Sequence, residues 1–239
     1  MKSQTLFFAV IFGAIFLTSC SLPISQSTSS PSNKNPSTTT TKSEPNNLLV
    51  AVGDIMLSRQ VGIKIRSLQN PKAPFLKTAS ILQNADITFG NLESPFYDQG
   101  PPVTEGMTFK AEPSTIEGLK YAGFDILSLA NNHFGNQGRA GMNYTFDLLT
   151  KNNIAYIGAG ENSIAARQPK IIEKNGIKFA FLAYCDMAST ITPDSYKATS
   201  DRAGLNPLVE ENLVEDIQAA KKLADVVVVS FHWGTEYKT

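Results

Sequence analysis

The sequence is poor in the residues that build disulfides, metal clusters and cationic surfaces. Its 239 residues include two cysteines, two histidines and one tryptophan, and 21 Lys+Arg residues balance 21 Asp+Glu residues. The zero net charge argues against nucleic acid as a partner, because nucleic-acid-binding domains carry a basic excess. The chain also lacks the GxGxxG and GxxxxGK[ST] sequences, so nucleotide-binding loops of those types are not expected.

Residues 1–20 are typical of a secretory signal peptide. Lys2 precedes an apolar run from Leu6 to Leu17, which is shorter than the roughly 20 residues that a transmembrane helix needs. The segment ends in "LTSC", which resembles the bacterial lipobox and implies that Cys20 is lipidated. A plain cleaved signal and an uncleaved anchor are the alternatives. We therefore expect a lipid-anchored protein on the extracytoplasmic face of the cell envelope, with the membrane as a partner.

Residues 21–47 are predicted to be a disordered linker, and residues 48–239 to be the folded domain. The linker consists mostly of Ser, Thr, Pro and Asn, and it has too little apolar surface to offset the entropy of ordering. The one cysteine of the domain, Cys185, is expected to be a buried free thiol. With Cys20 lipidated, no intrachain disulfide can form, so the apolar core alone must stabilise the domain.

The domain is predicted to alternate strands with helices. Continuous apolar strands between helices are typical of an α/β protein whose sheet is covered on both faces. A hairpin is predicted at Asn175-Gly176, and a helix over roughly 140–151. The predicted strands cover residues 48–52, 85–90, 125–130, 154–158 and 225–231.

Capping residues mark two further helices. Ser114 and Glu117 have the spacing of a capping box, and Gly123 is a natural residue for the end of that helix. Asn206 is predicted to cap the later helix, with Pro207 in its first turn. The buried side chains of this later helix are predicted to be Leu213, Ile217, Ala220 and Ala224.

Polar side chains follow four of the predicted strands. Ligands bind at the carboxyl ends of the strands in parallel α/β sheets, so four parallel strands would bring these side chains to one crevice. They are Asp54 after the first strand, Asn91 and Glu93 after the second, Asn132 and His133 after the third, and His232 after the last.

These residue types suit a divalent cation. Carboxylate, amide oxygen and imidazole ligands bind Mn, Fe, Zn or Mg, and the absence of cysteine argues against a structural zinc cluster. A bridging carboxylate can hold two ions about 3.5–4 Å apart, which activates water against a phosphate ester. Each residue taken singly also fits a structural role: a turn carboxylate for Asp54, turn hydrogen bonds for Asn132 and His133, and a core imidazole for His232.

Four motifs, in order, resemble those of the CapA family of poly-γ-glutamate capsule synthesis proteins, in the calcineurin-like metallophosphoesterase superfamily. The resemblance covers residues 48–239, and it implies an α/β/β/α sandwich with a site for two divalent metal ions. The motifs are "GDIMLSR", "GNLESP", "LANNHFGNQG" and "SFHWGTEY".

The resemblance also implies a role for each motif residue. Asp54 would be a metal ligand and Glu93 the bridging carboxylate. Asn91 would be a ligand or would orient one. Asn132 would ligate the second ion, and His232 would be a further ligand.

The remaining motif residues would act around these ligands. His133 occupies the position of the leaving-group acid, a role that suits the near-neutral pKa of histidine. Asn136 stands where the family usually has Asp, so a charged partner of His133 is expected to be missing. Glu236 would lie behind the ligands. Arg59 would either meet an anionic substrate or form a surface salt bridge.

The family continues beyond the point where this chain ends. A "GHHPH"-like histidine loop completes the metal site in the family, and this chain stops at Thr239 before any such loop. We therefore expect a domain that is truncated at its C-terminus, with a degenerate site as the alternative, and a metal site that is poorly occupied.

Two functions of different classes follow. The first is a CapA-type lipoprotein for capsule or exopolymer biosynthesis, with a site that hydrolyses a phosphate ester. The alternative is a non-catalytic envelope lipoprotein that binds an anionic exopolymer or an export partner through the same crevice. A third option, a 5′-nucleotidase-like enzyme, requires a pair of aromatic side chains that stack on a nucleobase, and the sequence does not identify one.

Overall fold

The computed structural model describes residues 46–235. The strands are β1 (Leu49–Ile55), β2 (Ile87–Leu92), β3 (Ile126–Ser128), β4 (Ala155–Ile157), β5 (Ala159–Gly160), β6 (Lys170–Lys174), β7 (Ile177–Cys185), β8 (Gly204–Leu205) and β9 (Val226–His232). The α-helices are α1 (Arg59–Leu68), α2 (Ala79–Gln83), α3 (Ile116–Ala122), α4 (Gly138–Lys151), α5 (Ser163–Arg167) and α6 (Glu210–Ala220). Cys20, the predicted linker up to residue 45 and Glu236 lie outside the described residues.

The described strands form two main sheets. Strands β1, β2, β3 and β4 lie side by side in that order, and all of them are parallel. The second sheet has the order β6-β7-β9, with β6 antiparallel and β9 parallel to β7. Strands β5 and β8 form a short antiparallel pair. The mixed α/β class predicted from the sequence is therefore confirmed. Strand β9 belongs to the second sheet, so the four strands predicted to carry site residues are shared between two sheets.

Three apolar clusters show how the layers are stacked. Ile87 and Phe89 of β2 pack against Phe179 and Phe181 of β7, so the two sheets face each other. The opposite face of the first sheet, which includes Leu127, contacts helices α1 to α4. The opposite face of β7 carries residues 180, 182 and 184, which pack against α6. The order of layers is therefore helix, sheet, sheet, helix, as the family resemblance implied.

The two sheets approach closely at Gly158. This residue has a φ of 74°, and a Cβ atom there would collide with Ala130 on one side and Ala183 on the other. Only glycine combines this backbone conformation with the close contact.

Most predicted elements are present. The hairpin between β6 and β7 turns on Asn175 and Gly176, whose φ angles of 50° and 78° match a type I′ turn. Helix α4, which the sequence predicted over roughly 140–151, buries Met142, Phe146 and Leu149. Gly123 ends α3 in the left-handed conformation, with a φ of 84°.

The predicted capping box of α3 is wrong. A 3-10 turn at Pro113–Thr115 precedes the helix, so Ser114 lies inside this turn instead of at the cap. The Glu117 carboxylate pairs with Lys120 instead.

The predicted cap of α6 is also wrong. Asn206 is buried, its side-chain amide donates to the carbonyl of Ala183, and its backbone N–H donates to Gly158. The helix begins later, at Glu210, although Leu213, Ile217, Ala220 and Ala224 do lie in the apolar layer between α6 and the second sheet. Asn206 therefore connects the sheets and does not start a helix.

Two other features affect the site. Within residues 46–235, no helix has the length and apolar character needed to cross a membrane. In the same part of the chain, β9 pairs with β7 alone and is an edge strand.

Candidate metal centre

The structure brings the predicted side chains together from both sheets, in a cleft of about 780 Å³. Asp54 lies within β1, just after an irregularity in its pairing with β2, and Glu93 directly follows β2. His232 is the last residue of β9. The site therefore lies where the carboxyl ends of strands from two facing sheets meet. The predicted site residues that line the cleft are Asp54, Glu93, Asn132, His133, Asn136 and His232.

The chemistry of one cluster in the cleft fits a divalent cation. One ligand atom from each of Asp54, Glu93 and His232 lies within 4.8 Å of the other two. The Nδ1 atom of His232 is 4.0 Å from Oδ1 of Asp54, and its Nε2 atom is 3.9 Å from Oε1 of Glu93. The Oδ1 atom of Asn132 is 3.1 Å from the same Nε2 atom. Two carboxylates, an imidazole and an amide oxygen are donors that Mn, Fe, Zn and Mg accept.

Asn91 orients a ligand in this structure. Its Nδ2 group donates to Oδ1 of Asp54 at 2.7 Å, and its Oδ1 atom accepts from Asn131 at 3.0 Å. An amide ligates a cation through oxygen, and that oxygen points away from the cluster. Asn91 is also buried and does not line the cleft. Of the two roles predicted for it, the geometry supports the orienting one.

Asn131, which the sequence prediction did not assign to the site, fixes the orientation of Asn91. Its side chain is fully buried, and its Nδ2 group donates both to Asn91 and to the carbonyl of Leu92, at 2.9 Å. Its Oδ1 atom accepts from the backbone N–H of His133 at 3.2 Å. The carbonyl of Leu92 and the backbone N–H of His133 thus fix the orientation of the Asn131 amide. Asn131 in turn fixes the Asn91 amide, which donates to Asp54. The signal in the sequence was the paired asparagine in "ANNH", although only one of the two faces the cleft.

The imidazole of His232 is held between two amides. The Nδ2 group of Asn132 lies 3.5 Å from the carbonyl of Thr190, which turns its oxygen towards Nε2 of His232. The Nδ2 group of Asn91 lies 3.4 Å from Nδ1. These two contacts fix the plane of the imidazole ring. Burial lowers the pKa of His232 below its ordinary value of 6.5, the charge of Asp54 opposes this shift, and that of His133 adds to it.

His133 is held by an amide in place of the expected carboxylate. Its Nδ1 atom is 3.0 Å from Oδ1 of Asn136, and the same oxygen accepts from the backbone N–H of Phe109 at 2.6 Å. Because this oxygen can only accept, Nδ1 of His133 carries the proton of this hydrogen bond and Nε2 faces away from Asn136. The Phe109 ring stacks on the imidazole at a centroid distance of 3.8 Å. Asn136 therefore keeps an orienting role without the charge.

Tyr196 lines the cleft beside His133, and Gly135 makes room for it. The Nδ2 group of Asn136 lies 3.5 Å from the Tyr196 hydroxyl. A Cβ atom at Gly135 would collide with the Tyr196 ring. The glycine in "HFGNQG" is therefore a packing requirement of the cleft wall.

Arg59 does not line the cleft. Its guanidinium donates to the carbonyl of Gly106 at 3.0 Å and lies over the Phe109 ring, 5.4 Å from the centroid. It packs on the ring that stacks on His133. Glu236, the other predicted residue behind the ligands, lies outside the described residues.

Residues 48–239 match the family model described as bacterial capsule synthesis protein PGA_cap. The capsule biosynthesis protein CapA of Bacillus anthracis is 31% identical over 199 residues, which are 79% of this chain and 47% of that protein. The PGA biosynthesis protein CapA of Bacillus subtilis (strain 168) is 30% identical over 189 residues, 78% of this chain and 48% of that protein.

The chain thus spans about half the length of the curated relatives that it matches. Among solved structures, a hypothetical protein from Thermus thermophilus aligns with a TM-score of 0.43 and 16% identity, over 77% of this chain and 57% of that one.

We expect Asn131→Asp to destabilise the domain. A carboxylate cannot donate, so it would place oxygen against Oδ1 of Asn91 and the carbonyl of Leu92 in a fully buried position. Unsatisfied buried polar groups of this kind cost about 1–3 kcal/mol each. Urea denaturation should therefore show a loss of that size or larger. The matched control is Asn152→Asp, whose half-buried amide donates to a single carbonyl at 2.8 Å and which should lose less than about 1 kcal/mol. Equal losses in the two variants would contradict the role assigned to Asn131.

We also expect the free energy of unfolding to decrease as the pH is lowered, because of His232. Its pKa is lower in the folded protein than in the unfolded chain, so unfolding takes up a proton as the pH falls below about 6.5. The free energy of unfolding contributed by this group is complete above that pH and is lost as the pH falls through the lowered pKa. In chelator-treated protein, His232→Gln should show a shallower decline in stability between about pH 7.5 and 5. An unchanged slope in chemical denaturation would contradict the pKa shift.

Proposed function

Since the chain belongs to the bacterial capsule synthesis protein PGA_cap family, we propose that it is a CapA-type lipoprotein for capsule or poly-γ-glutamate biosynthesis. Its cleft would hydrolyse a phosphate ester with the help of a divalent metal ion. The observation that carries this proposal is the cluster of Asp54, Glu93 and His232, whose ligand atoms lie within 4.8 Å of one another in the cleft. Carboxylates crowded in this way repel each other unless a cation or a proton lies between them.

Four side chains would hold metal in this cleft. Asp54, Glu93 and His232 supply charged and imidazole donors, and Asn132 supplies an amide oxygen next to the imidazole. Three protein ligands are the usual number at a catalytic ion, so these donors suffice for one ion, although weak binding was expected from the sequence. A divalent ion at such a site supplies Lewis-acid stabilisation of a phosphoryl group.

His133 would move the proton. Asn136 holds its Nδ1–H, so the protonated imidazole delivers its other proton from Nε2 to the oxygen of the leaving group. Stacking on Phe109 fixes the plane of the ring. The neutral amide of Asn136 orients this acid but adds no charge to stabilise its protonated form.

The protein would act at the outer surface of the cytoplasmic membrane or elsewhere in the envelope. The "LTSC" sequence places Cys20 where lipid is attached in bacterial lipoproteins, and residues 21–47 would tether the domain to the membrane. This arrangement brings the cleft close to lipid-linked or secreted polymer intermediates.

Metal binding and turnover test the proposed site. We expect the purified chain to bind at least one equivalent of Mn²⁺ in calorimetry and to hydrolyse an aryl phosphodiester. Asp54→Ala should weaken Mn²⁺ binding by at least about tenfold, because even supporting residues of metal sites contribute that much. His133→Gln should keep Mn²⁺ affinity and lower kcat by about 10²–10⁴-fold, the usual contribution of general acid catalysis.

Asp98→Asn is the control for both variants, since Asp98 is exposed and does not line the cleft. It should retain the Mn²⁺ affinity and kcat of the unaltered chain. Failure of the unaltered chain to bind any divalent metal or to turn over the diester would favour the non-catalytic envelope lipoprotein instead.

The anchor is tested by Cys20→Ser. We expect the unaltered protein to sediment with the membranes of a bacterial host and to incorporate labelled fatty acid. The variant should lose the label because serine has no thiol to acylate. Retention of the fatty-acid label in the variant would contradict lipidation at this residue.

A further inference from the structure

Large apolar side chains surround the mouth of the proposed metal site. Ile191 is 85% exposed, Trp233 is 74% exposed and Met107 is 56% exposed, and all three line the same cleft as Asp54 and His232. Exposed apolar groups gathered at one cavity mark a place where apolar ligand surface is buried. Tyr196 adds an aromatic ring to the same wall. We call Met107, Ile191, Tyr196 and Trp233 the apolar rim.

Ile191 is held in a conformation that isoleucine rarely adopts. Its φ angle is 52°, in the left-handed region that a β-branched side chain disfavours. The surrounding loop is fixed by hydrogen bonds: Thr192 N–H donates to the carbonyl of Met187 at 2.8 Å, and the Thr190 hydroxyl donates to that of Asp186 at 2.7 Å. Such strain persists only where the surroundings over-determine it, and it concentrates at ligand-binding sites.

The loop is also joined to the segment that carries Trp233. The backbone N–H of Gly234 donates to the Ser189 hydroxyl at 2.8 Å. Gly234 has a φ of 99°, a conformation that glycine adopts readily. This bond connects the residues after β9 to the loop that presents Ile191, so the two exposed side chains are presented by connected backbone.

The charges of the cleft exclude one class of ligand. Within the described part of the chain, the lining residues include Asp54 and Glu93 but neither Lys nor Arg. A polyanion such as a γ-linked glutamate chain would therefore meet two carboxylates and an apolar rim, with no cationic side chain to pair with its repeating charge. A ligand with a single phosphoryl group would place that one charged group at the proposed metal centre and its uncharged ring against the apolar rim.

We propose that the apolar rim is a subsite for the aromatic ring of a phosphate ester whose phosphoryl group lies at the metal centre. This inference rests on the proposed function of the metal centre. It narrows the proposed substrates to phosphate esters of an aromatic group. Tyr196 and Trp233 are the aromatic side chains of the rim.

The single tryptophan makes binding at the rim directly observable. With the full chain loaded with Zn²⁺, which leaves indole emission readable, phenylphosphonate and methylphosphonate are titrated separately by fluorescence and by calorimetry. Phenylphosphonate should bind about tenfold more tightly, because an aromatic contact together with the buried ring area is worth at least about 1.4 kcal/mol. It should also change the emission of Trp233, whereas methylphosphonate should leave it nearly unaltered.

Two isoleucine variants make the assignment to the rim specific. Ile191→Ala should reduce the preference for phenylphosphonate at least about threefold, since several buried methylene groups are lost. Ile164→Ala is the matched control, because Ile164 is 71% exposed and does not line this cleft. It should leave the preference unchanged. The inference is overturned by equal affinities for the two phosphonates, by an unchanged preference in Ile191→Ala, or by tighter binding of a γ-linked glutamate oligomer.

Failure of this inference is distinguishable from failure of the proposed function. Binding of Zn²⁺ with no preference between the phosphonates would contradict the aromatic subsite and leave the metal centre standing. Absence of Zn²⁺ binding in calorimetry, with Asp54→Ala behaving like the unaltered chain, would contradict the metal centre and the subsite with it.

Discussion

The face-to-face packing of the two sheets is the contact on which the site depends. Ile87 and Phe89 on one sheet and Phe179 and Phe181 on the other exclude water from the space between them, and the glycine at 158 lets the sheets approach. This apolar layer contains none of the polar residues of the cleft. It nevertheless sets the distance between the end of β9 and the ends of β1 and β2. His232 therefore meets Asp54 and Glu93 because hydrophobic side chains outside the cleft pack together.

Within that frame, neutral amides determine where the charges point. A buried amide must satisfy both its donor and its acceptor, so each asparagine adopts the one orientation that its partners allow. The backbone of Leu92 and His133 orients Asn131, which orients Asn91, which holds the Asp54 carboxylate. Asn136 and Asn132 do the same for the two imidazoles. Such a network places ligands without the desolvation cost of additional buried charge.

The sequence predicted the α/β class, the buried side chains of α6, the hairpin, and the strand ends that carry Asp54, Glu93 and His232. These features depend on the local spacing of apolar residues and on turn residues. It did not predict that β9 belongs to a second sheet, since a continuous apolar strand looks the same in either sheet. The cap at Ser114 failed because that residue lies inside a local 3-10 turn. The cap at Asn206 failed because this residue bonds to Ala183 and Gly158 instead. Asn131 could not be found from spacing, because its amide donates to Asn91 and Leu92, which lie 40 and 39 residues away in the sequence. The residues of the apolar rim come from separate segments of the chain, so spacing does not reveal them either.

The edge position of β9 has a mechanical consequence. Its last residue is the one predicted ligand that comes from the second sheet, and within the described residues β9 is secured by a single neighbouring strand. A cation held by His232, Asp54 and Glu93 would link the two sheets at the edge that β9 forms in the described residues. Folding and ion capture would then be thermodynamically linked, so that raising free ion to 100 times its dissociation constant would add about 2.7 kcal/mol to stability. The fraction of the protein with a bound cation would then determine how stably β9 stays paired with β7.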